Sequence, residues 1–183
     1  MDLSNLAKLL PLDLTTEILG LMVKKDFKKG HILHKEGTVC AFIYLIEKGI
    51  ARTFYYKEGK NISVHFAIEG ELTTAIDSLI SKKYSRYGIE LLEDSEIQVI
   101  PYQKLQELLL NYPHYEQYIR EILIDSYIQL AERVEEFLFF SAKERYHNLI
   151  IDKPFLLQRV SLGHVASYLG ITQETLSRIR KPI

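Results

Sequence analysis

The stretch Val165-Ala166-Ser167-Tyr168-Leu169-Gly170-Ile171-Thr172-Gln173-Glu174-Thr175-Leu176-Ser177-Arg178-Ile179-Arg180 decides how the chain is read. Ser161 stands where a helix over Leu162–Leu169 would need its N-cap. Gly170-Ile171-Thr172 makes a tight turn, and Thr172 can cap a last helix over Gln173–Lys181, which Pro182 ends. Val165, Leu169, Ile171, Leu176 and Ile179 fall on the faces that two such helices would press together. Ala166 is small where they come closest. An ordinary helix pair shows the same apolar spacing. Turn, small residue, caps and an exposed polar face together specify a helix-turn-helix that reads DNA. On that face Glu174 can accept from cytosine, Arg178 can pair bidentately with guanine and Gln173 can pair with adenine. Ser177 sits beside them, and Thr172, Thr175 and Lys181 suit phosphates.

Charge supports this assignment. The 183-residue chain has a formal net charge of −1, which excludes a uniformly basic nucleic-acid coat. The neutral total hides a polarised chain, because residues 141–183 carry seven basic and three acidic side chains. Hydrophobic residues make up 47%, enough for a packed core. A single cysteine, Cys40, excludes an intramolecular disulfide framework and a four-cysteine iron–sulfur site. Met1–Lys28 does not read as a signal peptide, and no apolar run nears the roughly 20 residues needed to span a bilayer. A cytoplasmic protein without a membrane partner is expected.

Upstream of the reader, Ser141-Ala142-Lys143-Glu144 has the form of a capping box opening a helix to about Ile151, which Lys153-Pro154 stops. Before it, a long helix is predicted over His114–Phe139. Ile119, Leu123, Tyr127, Leu130, Val134 and Phe137 form its apolar stripe. Ile124, Ile128 and Ala131 widen the stripe beyond the ~100° that a surface helix needs. Two neighbours are therefore expected, the strand domain on one side and a second copy of the helix on the other, giving a two-fold dimer. The alternative is one helix sunk in a monomer's core.

The first hundred residues change character after a helical start. Apolar residues recur at helical intervals from Leu3 to Lys25, with Pro11 dividing that stretch. Glycines then punctuate β-favouring segments at His31–His34, Phe42–Ile46, Ile50–Tyr56 and Ile62–Ile68, and Glu58-Gly59-Lys60-Asn61 suits a hairpin turn. A further strand is expected at Ile89–Leu92 or Ile97–Ile100, followed by a helix at Tyr102–Leu110 that Asn111-Tyr112-Pro113 breaks. The expected class is α+β: an N-terminal antiparallel double-stranded β-roll, jelly-roll-like and of about eight strands, then the long dimerisation helix and the helix-turn-helix. The corresponding units are residues 1–113, 114–140 and 141–183.

This order, and above all the run from Val165 to Arg180, resembles the CRP/FNR family of bacterial transcription regulators over essentially the whole chain. The resemblance implies a homodimer on a near-palindromic double-stranded operator, with RNA polymerase as a partner. It also implies base contacts by Glu174, Ser177 and Arg178, which match the family's Glu-x-x-Ser-Arg. Members often carry a β-hairpin wing beside these helices. Only residues 152–160 separate the preceding helix from Ser161, so a minimal wing is expected.

In nucleotide-binding members, Gly-Glu-Leu followed by Arg-Ser-Ala grips a cyclic nucleotide. Here Gly70-Glu71-Leu72 keeps the first half, but the second reads Ser85-Arg86-Tyr87, and arginine's place falls on Ser85. A one-residue shift on a strand turns a side chain to the opposite face. Ile128 and Gln129, on the long helix, offer no paired hydroxyls for a base. Gly70, Glu71, Leu72, Ser85 and Arg86 are therefore candidate effector residues; an unknown small molecule or no ligand at all is expected before a cyclic nucleotide, which a bulge restoring Arg86 would admit, and no cofactor is expected. His31, His34, His65 and Cys40 are haem ligands by residue type only, and His31 and His34 point oppositely on a strand. With no His-x-His pair and no Gly-x-Ser-x-Gly, His-Glu-x-x-His or Gly-x-x-x-x-Gly-Lys run, an enzyme is not expected. The competing binding class is a ligand sensor whose degenerate helix-turn-helix signals through a protein partner.

Overall fold

A computed structural model describes residues 11–180. The helix predicted before Pro11 and the phosphate candidate Lys181 lie outside them. Helix α1 (Leu12–Leu21) leads directly into strand β1 (Val23–Phe27). The helical reading to Lys25 is thus corrected: Lys24 bridges Glu47 and Glu96 on neighbouring strands, a tie no local periodicity reports. Strands β2 (Ile32–His34), β3 (Phe42–Lys48), β4 (Ala51–Lys57), β5 (Lys60–Ala67) and β6 (Leu72–Thr73) follow. A short helix α2 (Ile76–Ser81), absent from the sequence reading, precedes β7 (Gly88–Leu91) and β8 (Ser95–Pro101). Both positions offered as alternatives for a late strand are strands.

The eight strands form two antiparallel four-stranded sheets, ordered β1-β8-β3-β6 and β2-β7-β4-β5. This is the double-stranded roll. Tyr44, Ile46, Ala51, Ala67, Ile89, Leu91, Ile97 and Val99 fill the space between the sheets. Alternation explains the choice, since Ile97 and Val99 point inward on β8 while Gln98 between them bonds Glu47 outside. On β4, however, Ala51, Arg52, Thr53 and Phe54 are all buried, so the outer face of that sheet is covered as well. Gly88 permits one close approach there, because a Cβ on it would lie 2.5 Å from the Phe54 ring.

Helix α3 (Tyr102–Asn111) packs with α1 in a second cluster of Leu14, Ile18, Ile100, Leu105, Leu108 and Tyr115. His114 lies in a 3-10 turn (Pro113–Tyr115), and the long helix α4 begins after it, at Glu116–Phe139. None of its residues is buried. The expected strand-domain neighbour covers only the start of the helix. Only Tyr118 and Ile122 join the cluster around Tyr115. The middle stands clear, with Leu123 56%, Tyr127 71% and Leu130 61% exposed. No described helix is long and apolar enough to cross a membrane.

Helices α5 (Ala142–Asp152), α6 (Leu156–Arg159), α7 (Leu162–Tyr168) and α8 (Gln173–Ile179) complete the chain. The interval read as a minimal wing holds α6, and no strand occurs in residues 141–180. Val165, Ala166, Leu169 and Leu176 join Leu149, Leu156 and Val160 in one core, which also takes Ile50 and Phe66 from the outer face of the β4–β5 sheet. The element covering β4 is thus the helix-turn-helix.

Candidate nucleic-acid interface

Three local caps set the helices that hold the reader. Ser141 and Glu144 exchange reciprocal bonds as a capping box, Ser141 N–H to Glu144 Oε2 at 2.7 Å and Glu144 N–H to Ser141 Oγ at 3.3 Å. Ser161 Oγ accepts from His164 N–H at 3.3 Å, and Thr172 Oγ1 accepts from Thr175 N–H at 3.2 Å. Between them the chain reverses. Gly170 takes φ of +68°, its N–H donates to Ser167 O at 3.1 Å, and Ile171 N–H donates to Ala166 O at 3.0 Å. That left-handed backbone favours glycine, and a Cβ would also meet the Phe137 ring at 2.9 Å.

Helix α8 buries Leu176 and half-buries Ile179, so its remaining face is free. Thr172, Gln173, Glu174, Ser177 and Arg178 are exposed, and Thr175 is half-buried. Arg178 Nη2 donates to Thr175 Oγ1 at 3.3 Å, which lays the guanidinium along that face. Glu174's carboxyl is held below its ordinary value by its own backbone N–H and the Thr172 hydroxyl, with a further contribution from Arg178. Gln173 leans back, its Oε1 3.5 Å from where a Cβ on Gly163 would stand.

Two side chains that sequence reasoning did not single out hold this unit on the long helix. Arg133 donates to the Tyr168 carbonyl, and its guanidinium lies 3.7 Å from the Tyr168 ring centre and 4.5 Å from that of Phe137. Arg145 donates to the Leu169 carbonyl at 3.1 and 3.3 Å and to the Phe140 carbonyl at 2.6 Å. The carbonyl end of α7 is thereby neutralised by two cations. Phe137, one of the six stripe residues, is 45% exposed because its ring also supports the Gly170 turn. Ile119 is half-buried, and Leu123, Tyr127, Leu130 and Val134 remain exposed. Arg145 and Arg159 are two of the seven basic side chains of residues 141–183, and both are engaged within the chain. Arg145 serves carbonyls, and Arg159 is bound to Glu69 and Glu93.

The roll's candidate effector residues have partners of their own. Gly70 N–H donates to Ile46 O at 2.8 Å, Leu72 pairs with Leu45, and Glu71's carboxylate accepts from Ile68 N–H at 3.1 Å. Ser85 is buried and donates from Oγ to Asp77 Oδ1 at 2.8 Å. Arg86 N–H donates to the other Asp77 oxygen at 3.3 Å, and Tyr87 N–H donates to Ser85 Oγ at 2.9 Å. Arg86's side chain is exposed beside the Tyr87 ring. The donors of this turn thus already face an anion, the carboxylate of Asp77. Ile128 and Gln129 are exposed on α4. Among the described residues no group of three or more His, Cys, Asp or Glu could hold a metal. His31 stacks on Phe27, His34 is buried with Nε2 unpartnered, His65 lies on β5, and Cys40 Sγ faces Phe42 O at 3.4 Å.

Comparison with known proteins agrees with the fold. Residues 24–112 match the cyclic nucleotide-binding domain. The chain is 28% identical over 189 residues to the transcriptional activator protein Anr of Pseudomonas protegens, covering 93% of this chain and 76% of that protein. These likenesses support the CRP/FNR family for this chain. A second relative, the anaerobic regulatory protein of Pasteurella multocida, is 25% identical over 169 residues, 85% of this chain. The chain spans 61% of that relative's length. The structure of FixK2 from Bradyrhizobium japonicum shares the fold with a TM-score of 0.73 at 15% identity, covering 86% of this chain and 82% of that one. CRP/FNR relatives are transcription regulators, not enzymes.

Proposed function

We propose that the protein is a homodimeric, sequence-specific DNA-binding regulator. Leu123, Tyr127, Leu130 and Val134 pair with the same face of a second copy, and each α8 enters a major groove. The two grooves lie about one helical turn (~34 Å) apart on a near-palindromic operator. The observation that carries this reading is the free polar face of α8, with Glu174, Ser177 and Arg178 exposed opposite a buried Leu176. Glu174 and Arg178 contact bases, Gln173 and Ser177 flank them, and Thr172, Thr175 and Lys181 hold phosphates. The regulator works in the cytoplasm, and contact with RNA polymerase accords with its likeness to a transcriptional activator of Pseudomonas.

The roll serves as scaffold or as sensor of a small effector through Gly70, Glu71, Leu72, Ser85 and Arg86. The engagement of Ser85 and of the Arg86 N–H by Asp77 favours an effector other than a cyclic nucleotide, since a phosphate there would face a carboxylate already in place. An effector would act by binding one orientation of the readers better than another.

Selection of bound duplexes from a random pool, with and without cell metabolites, tests this. The expected product is an inverted repeat, and recovery without sequence preference at moderate salt overturns the reading. On the selected site Arg178→Ala should cost ~1–3 kcal/mol. An equal loss on random DNA would make Arg178 a phosphate contact instead.

A further inference from the structure

The reader is fastened to the roll as well as to the long helix. Arg159, which ends α6, donates to both oxygens of Glu69, at 2.6 and 2.9 Å, and also to Glu93. Glu69 stands in the turn after β5 and Glu93 in the turn before β8, so one guanidinium joins two loops of the roll. A two-pronged pairing of this kind fixes direction as well as distance. Glu69 is braced in turn, its Oε1 accepting from Gly49 N–H at 2.9 Å. The α7 helix adds a separate tie. Ser167 Oγ accepts from Ser63 N–H at 3.0 Å and faces the Asn61 carbonyl at 3.3 Å. Beneath that contact the Arg52 guanidinium, buried and paired with Glu90 at 2.6 Å, holds the side chains of Asn61 and Ser63. These ties run through α6 and α7, while Glu174, Ser177 and Arg178 stay exposed on α8.

We propose that Arg159 is a positioning residue for DNA binding: without touching DNA, its grip on Glu69 and Glu93 holds the reader against the roll in the orientation that presents α8. This rests on the DNA-binding reading given above. Two readers must meet grooves at a fixed separation. A reader free to swing occupies the required pose only part of the time, and its apparent affinity falls by that fraction. The docked pose covers the outer sheet face and leaves the reading face open, so it is the competent pose.

The decisive variant is Glu69→Gln with Glu93→Gln. Removing two negative charges would by itself favour a polyanion. Positioning predicts the reverse: operator affinity falls about tenfold, as when the competent pose drops to a tenth of the population, while affinity for random DNA does not fall. Glu93→Gln alone should move in the same direction by less. Nitroxide labels at Lys48→Cys and Arg180→Cys, read without DNA by paired-spin distances, should give a narrow distribution in the parent and a broad one in the double variant. Equal or tighter operator binding, or an unchanged distance distribution, overturns the proposal. If the parent chain binds no operator, the DNA-binding reading fails instead, and the label distances still decide whether the clamp exists.

Discussion

Helices α4 and α7 both carry apolar faces, and they differ in who covers them. Helix α7 is seven residues long, yet Val165 and Ala166 are buried and Ser167 bonds the β5 backbone. Helix α4 runs for 24 residues without burying one. An apolar period states that a face will leave water; it does not name the partner. For α7 the partner is the outer sheet of the same chain. For α4 the exposed leucines, valine and tyrosine form a contiguous patch of the kind that marks an interface.

Leu130→Asp tests that contrast most severely. A charge at the centre of the proposed seam has no partner, so dissociation to monomers is expected, a loss on the order of 3–5 kcal/mol or more. Sedimentation equilibrium measures it, and an unchanged mass would return α4 to solvent as a bare strut. Leu176→Ala addresses the intrachain side. It removes a buried side chain from the core shared by α8, α7 and the sheet, and should cost ~2–5 kcal/mol in denaturant unfolding while the dimer persists. Thr172→Ala should cost least. Losing the Thr175 N–H cap is worth ~1 kcal/mol, seen as fraying of α8 by hydrogen exchange. If Thr172→Ala exceeds Leu176→Ala, the reader owes its order to its own caps more than to docking.

What could be read in advance follows from the range of the interactions. The caps at Ser141, Ser161 and Thr172, with the left-handed turn at Gly170, are all decided within four residues, and those helices fall where the spacing places them. The roll was legible from β-favouring segments separated by turn residues. Strand β1 was not, because Lys24 is held by Glu47 and Glu96, whose nearness only the folded sheet creates. The same holds for charge. Arg145 and Arg159 read as surplus positive potential for DNA, yet each is engaged by groups 24 to 90 residues away. Asp77 gave no warning either, since its pairing with Ser85 depends on α2, too short for periodicity to announce.

Phe137 carries one more consequence. It shares a helix with Leu130 and props the turn between α7 and α8, while Arg133, one turn earlier, closes the end of α7. The last two turns of α4 therefore belong mechanically to the reader as much as to the rod. A chimaera that grafts this reader onto a relative should take its junction before Arg133, because a cut at residue 140 would leave the graft without its floor.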